Sequence, residues 1–206
     1  MKVIAINGSH RRGKSTSIML QNVLDVLAEN GVETELVELA DCNIKYCVSC
    51  NKCMKGKQCS INDDDMPALL DKLEAADGII LGSPVYWMNV SAMMKNFMDR
   101  TRPLHLTKNY LDGKVGAVVS HAALRHGGQE SCSNIMSSFL SAQGLVLVGP
   151  WDPENGIQTG GAQGSMAKAF EEGKLIWNRS VTEDEMAIQS CRQLGMNMLK
   201  LLNRLK

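Results

Sequence analysis

The chain carries no excess charge of either sign: 22 Lys and Arg stand against 22 Asp and Glu. That balance removes the broad electrostatic pull that draws proteins to nucleic acid or anionic membranes, so neither is expected as a partner. No apolar run approaches the ~18 residues that span a bilayer. No internal repeat or low-complexity tract interrupts the sequence. Residues 1–7 form a short apolar stretch that runs straight into a glycine turn. They read as a first strand and not as a secretory leader, which gives a cytoplasmic location as the expectation. Aromatic residues are scarce, with three each of Trp, Tyr and Phe. Cysteine is not scarce. There are seven, and a reducing cytoplasm does not keep disulfides. Four of them fall between Cys47 and Cys59, a concentration that points to a metal or cluster site.

Apolar residues make up 44% of the 206, enough for a large core in a single domain. Strand and helix patterns alternate. Strands are predicted at 2–7, 33–39, 78–81, 114–120 and 144–148. Helices are predicted at 14–30, 66–76, 91–102, 129–143 and 183–205. Five short apolar strands separated by helices imply an α/β fold with a parallel sheet covered on both faces. The right-handed crossover rule leaves few topologies, and the flavodoxin-like doubly wound order 2-1-3-4-5 fits best. Two stretches break the rhythm. One is the cysteine-rich loop at 40–65. The other is a Gly-rich, polar arm that begins at 149 and leads into the last helix. Loops this long need something to organise them. A cluster would organise the first, and packing on another subunit the second.

Three turns carry the chemistry. The first, Gly8-Ser9-His10-Arg11-Arg12-Gly13-Lys14-Ser15-Thr16, joins the first strand to the first helix. Its open backbone N–H groups, the helix dipole, the hydroxyls of Ser9, Ser15 and Thr16 and the Arg11 guanidinium make a phosphate site. The same residues satisfy Gly-x-x-x-x-Gly-Lys-Ser, the triphosphatase loop. A triphosphatase also needs an acidic residue at a neighbouring strand end to organise Mg²⁺. The third and fourth strands end instead in Gly82-Ser83-Pro84 and Ser120-His121, and Asp41 follows a strand broken by charges. The second turn, Ser83-Pro84-Val85-Tyr86-Trp87-Met88-Asn89, sets two of the few aromatics side by side where open α/β sheets bind ligands. The third, from Ser120 to Glu130, includes Gly127-Gly128-Gln129-Glu130, whose paired glycines permit close backbone approach. His121 and His126 lie in it and are expected to face solvent.

Gly8-Ser9-x-Arg11 with the polar pair Ser15-Thr16 resembles the FMN phosphate loop of the NADPH-dependent FMN reductase superfamily, with His10 where Pro is commoner and Ser15 where Asn is commoner. The resemblance implies that Ser9, Arg11, Ser15 and Thr16 hold the FMN phosphate. It also implies that Pro84, Val85, Tyr86 and Trp87 meet the isoalloxazine, and that Gly127 and Gly128 lie on its pyrimidine side.

Cys47-x2-Cys50-x2-Cys53-x5-Cys59 is the sharpest pattern. Cys-x2-Cys-x2-Cys runs wrap three corners of a 4Fe–4S cube, and Cys59 is close enough to supply the fourth. Zinc sites separate two Cys-x2-Cys pairs by a longer loop and fit less well. Cys42-x4-Cys47-x2-Cys50 opens like a plant-type 2Fe–2S run but lacks a distal partner. Polar neighbours such as Lys45, Asn51, Lys52, Lys55 and Lys57 argue against buried inert thiols. Cys42, Cys132 and Cys191 read as small apolar residues.

The cysteine run joined to the FMN-type turns is similar to the iron–sulfur flavoprotein family over almost the whole chain. The resemblance implies FMN and one 4Fe–4S cluster on Cys47, Cys50, Cys53 and Cys59. It implies a homodimer or homotetramer in which cluster and flavin meet across subunits, a ferredoxin-like electron donor and a small-molecule acceptor. The four lysines of the loop would then dock an acidic donor or raise the cluster potential. Three other readings stay open. The rival enzyme is an NAD(P)H-dependent FMN or quinone reductase with incidental cysteines. A second class is a nucleotide-dependent iron–sulfur carrier, and a third is a redox sensor without turnover, in which loss of the cluster changes a partner contact.

Overall fold

A computed structural model describes residues 1–205. Six parallel strands form the main sheet, five of them along its main path: β1 (Lys2–Asn7), β2 (Glu33–Glu38), β3 (Gly78–Pro84), β4 (Val115–Ala122) and β5 (Val146–Leu147). Their order is β2-β1-β3-β4-β5, the doubly wound arrangement anticipated from the sequence. Alternation along the strands feeds two cores. Ile4, Ile6, Ile79 and Leu81 point to one face, where α2 (Met66–Ala75), α3 (Ala92–Arg100) and α4 (Gln129–Ala142) cover them with Leu73, Phe97 and Met136 among others. Val3, Ala5, Ile80 and Val119 point to the other face. There α1 (Ser15–Glu29) and α5 (Glu185–Arg204) pack with Leu20, Val23, Leu194 and Met198. Burial on both faces is why the central strands read as unbroken apolar runs. Strand β2, at the edge, carries Glu33 and Glu35, which pair with Lys2 and Lys72 and keep that edge charged.

The arm after residue 149 does more than the sequence suggests. Strand β5 pairs only with Val115 and Gly116. The chain then makes an excursion tied to α5, where Asn197 Nδ2 donates to the carbonyls of Gly149 and Trp151 at 2.9 and 3.2 Å. It returns as β6 (Ala162–Ser165), parallel to Val119–Ala122 of β4. Because β3 occupies the whole opposite edge of β4, β5 and β6 share one edge as a split fifth position. The partner β6 is also why β4 runs two residues past the predicted end. Two further strands, β7 (Ala167–Glu171) and β8 (Lys174–Trp177), form an antiparallel hairpin that joins no other strand. Its apolar residues Phe170 and Trp177 are exposed. None of the described helices is long and apolar enough to cross a membrane.

Candidate functional site

The three turns named in the sequence lie together at the carboxyl ends of β1, β3 and β4. Asn7, the last residue of β1, is fully buried and organises the first of them. Its Nδ2 donates to Ser17 Oγ (2.8 Å) and Glu38 Oε2 (2.6 Å), and Ser17 Oγ donates to Glu38 Oε1 (2.7 Å). Asn7 Oδ1 accepts from the Ser9 amide (3.0 Å), and Ser9 Oγ accepts from the Arg11 amide (3.1 Å). Arg12 is held away by Asp41 (2.5 Å) and the Ala40 carbonyl (3.1 Å). Arg11 stays exposed and forms no ion pair among the described residues. No side chain caps the first turn of α1, so its leading amides stay available to an anion. Ser15 is half-buried, its hydroxyl meeting only the Met166 sulfur at 3.8 Å, and Thr16 is buried beside it.

The second turn is locked to the first. Ser91, the N-cap of α3, accepts from the Met94 amide (3.0 Å) and donates to the Gly8 carbonyl (2.6 Å). Pro84 ends β3 and is buried, and the Val85 amide donates to the His121 carbonyl (2.8 Å). Tyr86 and Asn89 exchange backbone hydrogen bonds of 3.0 and 3.1 Å around a two-residue loop. Both loop residues, Trp87 (φ 52°) and Met88 (φ 62°), sit in the left-handed region that such loops reserve for Gly or Asn. Holding a Trp there stores strain, and Trp87 is 99% exposed at the tip.

The third turn closes on the second. Gly128, the N-cap of α4, has φ of 99°, and a Cβ there would lie 2.8 Å from Met88 Sδ and 2.9 Å from Met88 Cα. A Cβ on Gly127 would lie 2.9 Å from the Leu124 carbonyl oxygen. The glycine pair therefore answers first to the protein's own turns, and only through them to a ligand. His121 departs from expectation. It is the penultimate residue of β4 and is buried, whereas His126 does face solvent. Its Nε2 has no hydrogen-bond partner among the described residues. Burial, and then the Arg11 charge, push its pKa down to about 4, so it is neutral at pH 7. An open helix start, an unpaired guanidinium and an orphaned imidazole nitrogen at one turn fit an anionic group such as a phosphate. Strands β3 and β4 end without an acidic residue for Mg²⁺, and Glu38 at the end of β2 is taken up by Asn7 and Ser17.

The cysteine loop folds along α3 and into a second site. Cys47, Cys50, Cys53 and Cys59 all line one pocket, with Asn51, Ser60, Asp99, Arg100 and Arg102 among its other lining residues. Cys50 Sγ is paired with Ser60 Oγ at 2.9 Å, and that bond leads the effects that lower its pKa. Arg100 is only 2% exposed and pairs with the buried Asp64 at 2.5 Å. Its guanidinium also ties down the loop through the carbonyls of Lys45 (2.6 Å) and Ile61 (3.1 Å). Among the described residues no three Cys, His, Asp or Glu side chains close on a single ion. A cluster makes a different demand, because each thiolate binds its own iron at a separate corner. The remaining cysteines are apart from this pocket. Burial pushes the Cys132 thiol up to about 11 and Cys191 to about 12, as inert core residues, and raises that of half-buried Cys42. Of the loop lysines, Lys45 pairs with Asp63 and Lys57 with Glu74, while exposed Lys52 and Lys55 form no ion pair among the described residues.

The family model described as NADPH-dependent FMN reductase matches residues 1–151. The chain belongs to the NADPH-dependent FMN reductase family. Within that family it is 36% identical over 209 residues to an iron-sulfur flavoprotein of Methanocaldococcus jannaschii, covering all of both chains. It is 34% identical over 206 residues to an iron-sulfur flavoprotein of Archaeoglobus fulgidus, covering 100% of this chain and 98% of that one. The chain thus groups with the iron–sulfur flavoproteins of the FMN reductase family and is a flavin-dependent oxidoreductase. Among solved structures, oxidised flavodoxin 1 from Bacillus cereus superposes with a TM-score of 0.60 at 18% identity, covering 97% of this chain and 98% of that one, which shows a shared fold.

Two groups of residues in this family member escaped the sequence reading. The Asn7–Ser17–Glu38 network draws on a strand end, a helix and a second strand. Only the oddity of a polar residue closing an apolar strand hinted at it. The Arg100–Asp64 pair joins a helix end to the Asp63-Asp64-Asp65 run before α2. That run reads equally well as a helix start, since Asp64 Oδ1 accepts from the Met66 amide at 3.1 Å.

Proposed function

We propose that this flavin oxidoreductase is an electron-transfer enzyme that binds FMN at the three turns and one 4Fe–4S cluster on Cys47, Cys50, Cys53 and Cys59. The convergence of all four motif cysteines on one pocket carries the reading. Ser9, Arg11, Ser15 and Thr16 hold the phosphate. Pro84, Val85, Tyr86 and Trp87 line one side of the ring, with Gly127 and Gly128 behind them. A bound flavin accepts or gives electrons singly or in pairs, and a cluster moves them one at a time. The chain's own part is to hold each group, exclude water and set its potential. Exposed Lys52 and Lys55 beside the cysteine pocket favour an acidic, ferredoxin-like donor, with a small molecule as acceptor.

The two sites sit at opposite ends of α3: Ser91 starts it beside the first turn, and Arg100 ends it at the cysteine pocket. That separation, with the exposed Trp87 and the unpartnered β7–β8 hairpin, supports a homo-oligomer in which the flavin of one subunit meets the cluster of another. The test is anaerobic purification, a visible spectrum, and a count of flavin, iron and acid-labile sulfide per chain. One FMN with four iron and four sulfide is the expected result. A colourless protein after anaerobic reconstitution would overturn the reading. A yellow protein without iron that oxidises NADPH would replace it with the cluster-free reductase.

A further inference from the structure

Arg100 is held by four hydrogen bonds and has one donor left over. Nη1 donates to the Lys45 carbonyl (2.6 Å) and Asp64 Oδ2 (2.5 Å), and Nη2 donates to the Ile61 carbonyl (3.1 Å) and Asp64 Oδ1 (3.2 Å). Nε–H is buried and has no acceptor among the described residues. A guanidinium presents five N–H groups in a rigid fork, so fixing the two Nη atoms also fixes where Nε–H points. Leaving a buried donor unmet is unfavourable enough that an acceptor is expected.

The pocket that Arg100 lines narrows the choice. Asp99 is engaged with Lys95, Asn51 Oδ1 accepts from Arg102, and Ser60 Oγ is paired with Cys50. Cys47, Cys53 and Cys59 line the same pocket with sulfurs that take no hydrogen bond among the described residues.

We propose that Arg100 Nε–H donates a hydrogen bond to sulfur in the cysteine pocket, making Arg100 the positioning residue that sets the cluster's potential. This rests on the cluster reading above. The bond favours the reduced, more negative cluster, so it raises the reduction potential. The Asp64 pair gives the arm its rigidity: it holds the guanidinium from behind, with the Lys45 and Ile61 carbonyls as stays.

The test uses anaerobically reconstituted holoprotein. In the wild type, pulsed electron paramagnetic resonance of the reduced cluster, with arginine labelled by ¹⁵N, is expected to show a nitrogen coupling. The coupling persists in Arg102→Lys, because Arg102 also lines the pocket. Arg100→Lys keeps the charge beside Asp64 but loses the fork. It is expected to load iron and sulfide, lose the coupling and become harder to reduce by about tenfold in the equilibrium, which is about 59 mV for one electron. A loaded wild type without arginine coupling, or a loaded Arg100→Lys with an unchanged midpoint, overturns the inference while the cluster reading stands. A wild type that takes up no iron overturns both. If Arg100→Lys does not fold, the wild-type and Arg102→Lys couplings decide.

Discussion

Of the four histidines, His121 alone is buried, and it faces the Arg11 guanidinium with an Nε2 that has no hydrogen-bond partner among the described residues. Its protonated form is disfavoured by burial and by that neighbouring charge, which puts the folded pKa near 4 against 6.5 when exposed. Between those values the unfolded chain binds a proton that the folded chain refuses. Stability therefore rises with pH across the window, is fully present above 6.5, and is lost as pH falls toward 4. The gap corresponds to about 3 kcal/mol. His121→Phe is expected to flatten this acid limb in the cofactor-free protein, read as urea midpoints between pH 7 and pH 4. Parallel curves for the two proteins would show that another group titrates there. The same corner predicts the weight of Arg11. If it grips a phosphate through charge-assisted bonds worth about 1.5–3 kcal/mol, Arg11→Gln weakens FMN binding roughly 10- to 100-fold. A fluorescence titration with unchanged affinity would remove Arg11 from the site.

Among the elements, the turns and not the helices make the site, and the second and third turns depend on each other. Gly128→Ala would force a Cβ to 2.8–2.9 Å from Met88 at a φ of 99°. We expect a loss of about 1–3 kcal/mol in stability, seen in thermal or urea melts, together with poorer FMN retention. A melt unchanged from wild type would mean that the second turn yields freely. The same elements mark how far the sequence could be read. The β1–α1, β3 and β4 turns were legible because Gly, Ser, Arg and paired aromatics interrupt apolar strands at each crossover. The four cysteines were legible because their spacing is local. The split of the fifth strand was not, since Ala162-Gln163-Gly164-Ser165 has no apolar run. It pairs because β4 presents a free edge there. The burial of His121 was hidden for a related reason: that same late strand, with Gly164 opposite His121, covers what looked like an open loop. Arg100 falls inside the helix predicted at 91–102, and nothing local tells that Asp64, 36 residues earlier, pairs with it.

At the scale of the whole molecule, the division of labour follows from α3. Its nine residues span about 13 Å at 1.5 Å per residue, with the first turn bonded to one end and the cysteine pocket at the other. With both groups bound as proposed, electrons within one chain would pass between the two ends of α3, whereas in a symmetric assembly a partner's cysteine pocket would come to the exposed rim around Trp87. Mixed oligomers distinguish the two. A cluster-deficient Cys50→Ser chain and a flavin-deficient Arg11→Glu chain, each made alone, are expected to pass no electrons from reduced ferredoxin to a small acceptor. Co-expressed as a twofold-symmetric dimer, half of the molecules are hybrids, and each hybrid joins one intact cluster to one intact flavin. Recovery of about one quarter of the wild-type rate is the expected outcome. If cluster and flavin serve each other within a single chain, the hybrids contain no working pair and the mixture stays inactive. The rate of the co-expressed protein, measured beside its flavin and iron content, therefore decides whether this chain works alone or only as part of a pair.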